Sequence, residues 1–95
     1  MNATDRQQLR LSLLRFLDEN MSRFGFELGY LLQRARSEGR PSLKAEDVEQ
    51  EMLYLEDKKF RGEPIVLVVD KTISPELRAW RITAAGRDYL AMQQT

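Results

Sequence analysis

The segment Trp80-Arg81-Ile82-Thr83-Ala84-Ala85-Gly86-Arg87-Asp88-Tyr89-Leu90 changes period part-way along. Up to Ile82, apolar and polar residues alternate. Trp80 and Ile82 therefore share the covered face of a strand, with Ala79 and Arg81 on the opposite face. Thr83 is suited to cap a helix, and residues 84 to about 92 continue as a short last helix with Tyr89 and Leu90 pointing inward. A strand that runs directly into a capped helix needs a partner strand close by. Ile65-Val66-Leu67-Val68-Val69, just after Pro64, supplies one, and residues 70–77, polar and containing Pro75, read as the hairpin loop between them.

Upstream of the hairpin the spacing is helical. Leu9, Leu13, Phe16 and Leu17 recur at three and four residues behind a possible cap at Thr4, with Arg6, Arg10, Ser12, Arg15 and Glu19 mostly on the other side. The pattern fades at Asn20, and Gly25 marks a break. A second helix fits residues 27–37, with Leu28, Leu31, Leu32 and Ala35 as its buried stripe. Phe24 and Phe26 are placed ahead of it to pack on that stripe, and Gly39 and Pro41 end it. A third helix starts near Lys44, with Glu46 and Asp47 in the first turn, where the helix dipole favours acids. Val48, Met52 and Leu55 form its core stripe, Lys58 and Lys59 close its last turn, Phe60 returns to the core and Gly62 opens an irregular stretch. The expected fold is α+β and mostly helical, in one domain over residues 1–95: three helices, a two-stranded β-hairpin and a short C-terminal helix.

Composition narrows the function classes. The 95 residues contain neither cysteine nor histidine. Disulfides and thiolate metal sites are excluded, and the commonest general acid–base group is missing. Ser12, Ser22, Ser37, Ser42 and Ser74 lack a histidine partner, and none lies in a Gly-x-Ser-x-Gly turn. Glu46, Asp47, Glu49 and Glu51 spread around a helix rather than converging, and read as a solvated acidic surface. An enzyme is not expected, nor a metal or cofactor. Phe24, Phe26 and Tyr30 read as core packing, the other possibility being a small-molecule pocket. No apolar run approaches the ~20 residues of a membrane span. The N-terminal residues contain no basic segment leading into an apolar one, so a cytoplasmic protein is expected.

Two stretches, Val48-Glu49-Gln50-Glu51-Met52-Leu53-Tyr54-Leu55-Glu56-Asp57-Lys58-Lys59-Phe60 and the Trp80–Leu90 segment, resemble the winged helix-turn-helix superfamily. The first resembles its third helix and the second its wing strand running into a Thr-x-x-Gly-Arg helix start. With the helix spacing, the likeness covers nearly the whole chain. The chain is also similar to small winged-helix proteins of Mu-like prophages. The stretch from Ala35 to Lys44 is longer than the usual tight turn of about 3–4 residues.

The resemblance implies DNA-binding regulation of transcription, with the third helix in the major groove and the wing on the backbone. Carried onto this chain, the DNA-contact positions are Arg36, Arg40, Lys44 and Gln50 in and around the third helix, with Lys71 and Arg78 in the wing. Gln pairs with adenine, and Lys contacts guanine or phosphate. A single unit of this size touches few bases, so a homodimer on double-stranded DNA is the expected form. Charge opposes this picture. Fifteen basic residues balance fifteen acidic ones, and residues 45–62 hold six acids against three bases, the most acidic part of the chain. The alternative is a protein-interaction or dimerisation module that presents Glu46, Glu49 and Tyr54 to a basic partner, with Leu53 and Tyr54 either exposed or packed on the wing.

Overall fold

The computed structural model describes residues 2–22, 24–69 and 78–93. Along the chain these form α1 (Ala3–Glu19), β1 (Phe26–Glu27), α2 (Leu28–Ser37), α3 (Ala45–Asp57), β2 (Lys59–Phe60), β3 (Glu63–Pro64), β4 (Val66–Val68), β5 (Ala79–Ile82) and α4 (Ala84–Gln93). The architecture is α+β, four helices with small antiparallel sheets. None of the described helices is long and apolar enough to cross a membrane.

Helix α1 is capped by Asn2, not by Thr4. The Asn2 Oδ1 accepts the Asp5 N–H at 2.8 Å, which satisfies one of the orphan donors of the first turn. The helix ends at Asn20, whose N–H reaches the Phe16 carbonyl. Leu14 joins Leu9, Leu13, Phe16 and Leu17 in the core, because α1 is packed by α2, α3, α4 and β5 and buries a wider stripe than a surface helix does.

Strand β5 is the centre of a three-stranded sheet in the order β1-β5-β4. Val66 pairs with Ile82 and Val68 with Trp80, so the expected hairpin is in place, with β4 shorter than the 65–69 run. Its loop, residues 70–77, lies outside the described residues. On the other edge, Phe26 pairs with Trp80. The sequence pattern misses β1 because two residues are too few to display a period. Trp80 and Ile82 are buried and Arg81 is exposed, as the alternation requires. Trp80 is fully buried in the core cluster that includes Leu9, Leu31, Met52 and Leu55. Each such side chain, removed from water, contributes about 1.5–3 kcal/mol.

Beyond α3 the structure departs from expectation. The helix stops at Asp57, and Lys58 and Lys59 are not its last turn: Lys58 is the C-cap, in extended conformation, and Lys59 begins β2. The stretch opened by Gly62 is a tight hairpin in which Lys59 pairs with Pro64 and Phe60 with Glu63. Phe60 packs edge-on against Tyr89 of α4, ring centroids 5.8 Å apart. Thr83 caps α4 as expected, its Oγ1 accepting the Gly86 N–H at 2.9 Å while its hydroxyl donates to the Pro64 carbonyl at 2.6 Å. Gly86 lies so close to the Ile65 carbonyl that no Cβ fits between them, which ties the start of α4 to the root of β4.

Candidate functional site

Helix α3 presents two faces with different chemistry. Val48, Met52 and Leu55 point into the core, and Glu51 lies on the same side, only 3% exposed. Glu51 is therefore not part of a solvated acidic surface. It is three residues after Val48 and four before Leu55, a spacing that puts all three on one face. Arg10 of α1 neutralises it, Nε donating to Oε1 at 3.0 Å, and the same guanidinium lies 3.8 Å from the centre of the Tyr54 ring. One turn on, the Glu56 carboxylate accepts the indole N–H of Trp80 at 3.0 Å and lies 3.6 Å from Nη1 of Arg78. Asp47 is also occupied. It accepts the Lys44 N–H at 3.1 Å and donates its own N–H to the Lys44 carbonyl, closing the first turn.

The outward stripe is Glu46, Gln50, Tyr54 and Asp57, all exposed, with Glu49 and Leu53 half-buried beside it. Glu46, Gln50 and Tyr54 thus share one face, as their four-residue spacing demands. Tyr54 remains 43% exposed and leans on Arg10 of α1.

The expected basic contacts separate into distinct groups. Arg36 spends its Nε on the Leu43 carbonyl at 2.7 Å and so cinches the long connection between α2 and α3. Arg34 pairs with Glu38 one turn on. Arg40 lines a polar cleft of about 610 Å³ together with Asp5, Gln8 and Asp47, and Lys44 stands exposed at the cap of α3. Arg78 joins Glu56 at the foot of the sheet. Lys71 lies outside the described residues.

Sequence reasoning overlooked the far end of α3, where Lys58, Lys59 and Arg61 follow one another on and around the β2–β3 hairpin. Lys58 lies 5.9 Å from the Tyr54 ring and 5.5 Å from the Tyr89 ring, and Arg61 lies over Phe60 at 4.8 Å. Of the thirteen described Lys and Arg residues, Arg10, Arg34, Arg78 and Arg87 are ion-paired. Six of the nine without a carboxylate partner bracket α3: Arg36, Arg40 and Lys44 before it, and Lys58, Lys59 and Arg61 after it. The signal that finds this group is the three-cation run itself, once the hairpin is seen to hold it beside the helix.

The Phe16, Phe26 and Tyr30 rings pack together with centroids 5.0–5.7 Å apart. Phe26 thus closes one edge of the core, while Phe24 and Tyr30 remain largely exposed. No family model matches the chain, and comparison with curated proteins and with solved structures likewise finds no match.

Proposed function

We propose that this chain is a winged-helix domain, of transcription-regulator type, that binds duplex DNA along α3. The order of three helices, an antiparallel strand pair and a final helix supports the fold assignment. The observation that carries the function is the bracketing of α3 by six cations without carboxylate partners, while Glu51 and Glu56 turn inward and are neutralised. The thirteen residues of α3 span roughly 20 Å. That length exceeds the ~12 Å width of the major groove, so cations at both helix ends meet phosphates on its two walls. Gln50, at the middle of the outward stripe, has the donor and acceptor to read adenine, and Glu46 has the acceptor to read cytosine.

The test is fluorescence anisotropy with a mixed-sequence duplex across a salt series. A site using all six cations loses about a thousandfold in affinity between ~50 and ~200 mM salt. Arg40→Glu with Lys44→Glu is expected to abolish binding while leaving the circular dichroism spectrum and the melting temperature in place. Unchanged affinity in that variant overturns the placement.

The exposure of Glu46 and Tyr54, with Glu49 half-buried beside them, favours a second reading, a protein-interaction module with a basic partner. Glu46→Lys with Glu49→Lys separates the two. It tightens binding of duplex DNA under the first reading and removes a partner in pull-down under the second.

A further inference from the structure

The β2–β3 hairpin turns on two residues, Arg61 at φ 55° and Gly62 at φ 83°. A two-residue turn with both central residues left-handed is of type I′, in which Asn-Gly is the favoured pair because both tolerate positive φ. Gly62 obeys this preference and Arg61 does not. Arg61 is the only non-glycine residue at positive φ among the described residues, so the tip holds a long cationic side chain where the backbone favours asparagine. A locally unfavourable residue points to what its side chain does. Among the described residues no carboxylate pairs with the Arg61 guanidinium. That guanidinium lies over the Phe60 ring at 4.8 Å, and the residue is exposed to solvent.

The rest of the hairpin is built as a mount. Phe60 is fixed against Tyr89, the Pro64 carbonyl accepts the Thr83 hydroxyl, and the Ile65 N–H donates to the Lys58 carbonyl at 3.4 Å. Lys59 is exposed on β2, and Lys58 is steadied between two tyrosine rings. Asp57 and Glu63 flank these cations in sequence, yet neither forms an ion pair with them. We infer that this hairpin is a phosphate clamp: Lys58, Lys59 and Arg61 grip the backbone of a DNA duplex at the end of α3 opposite Arg40 and Lys44. The inference rests on the DNA-binding reading above and deepens it, because it assigns the backbone grip to a hairpin other than the β4–β5 wing.

Arg61→Asn gives a sharp test, because its two consequences run in opposite directions. Asparagine suits the turn, so the melting temperature is expected to hold or rise. Losing the cation is expected to weaken binding to a mixed-sequence duplex about three- to tenfold at low salt, and to reduce the slope of log affinity against log salt by about 0.9. Adding Lys59→Gln doubles the change in slope. Arg15→Gln, at an exposed unpaired arginine on α1, serves as the control and leaves both affinity and slope unchanged. If the native chain binds duplex DNA and Arg61→Asn leaves the slope intact, the clamp is overturned while the α3 reading stands. If the native chain shows no salt-dependent binding, both fall.

Discussion

The inward and outward faces of α3 carry the same residue type with opposite fates. Glu51 and Glu56 are drawn into the molecule, where Arg10, Trp80 and Arg78 meet their carboxylates. Glu46 and Glu49, on the same helix, have no side-chain partner among the described residues. Counted along the sequence, all four make α3 an acidic helix that DNA would repel. Sorted by face, Glu51 and Glu56 are neutralised from elements far away in the chain, and the acids left on the outward side are Glu46, Glu49 and Asp57, set between two basic ends. The lesson is that a charge count belongs to a surface, not to a segment.

The comparison breaks most visibly if the inward face is disturbed. Arg10→Met leaves the Glu51 carboxylate buried without a counter-charge, and the expected loss is about 3 kcal/mol. That is the low end of the range for breaking a buried pair, because Arg10 itself is partly exposed to water. Urea denaturation measures it, and Arg10→Met combined with Glu51→Met should recover most of the loss, since an apolar pair leaves no charge unpaired. A loss below about 1 kcal/mol in the single variant would mean that Glu51 is not held by Arg10.

The indole contact is smaller. Trp80→Phe removes the N–H donated to Glu56 and some packing, while Arg78 still balances the charge. About 2 kcal/mol is expected, read from thermal melting, and Glu56→Gln should lose less because its amide oxygen still accepts. Next in size is Asp47→Ala, which opens the first turn of α3 and is expected to cost about 1 kcal/mol. Smallest is the outward face. Glu46→Lys with Glu49→Lys should change stability by less than about 1 kcal/mol, most of it from Glu46 in the first turn, while increasing the salt slope of duplex binding by up to about 1.8. A large loss of stability there would erase the distinction between the two faces.

Some of this was legible early. The helical stripes of α1, α2 and α3, the β4–β5 pair and the Thr83 cap follow from spacing alone, since period and capping chemistry are local. Sequence reasoning puts Glu51 on a solvated surface, although its place between Val48 and Leu55 already sets its face. The Asn2 cap displaces Thr4 by a choice between two neighbouring hydrogen-bonding side chains, which composition does not decide. Strand β1 and the β2–β3 hairpin were hidden for another reason. Each strand is two residues long, and what stabilises them is pairing with β5 or packing against Tyr89, not a pattern of their own.

The sequence by itself determined the order of the four helices and the β4–β5 pair, and the apolar faces, because these depend on residues within a few positions of each other. It also determined the absence of histidine and cysteine chemistry. Only the tertiary structure decided which charges remain available. Arg10 and Glu51 are 41 residues apart and Trp80 and Glu56 are 24 apart, and the folding of α1 and β5 against α3 brings each pair within hydrogen-bonding distance. Burial then forces those groups to pair, while the cations at both ends of α3 stay at the surface, where water solvates them and a phosphate backbone can reach them.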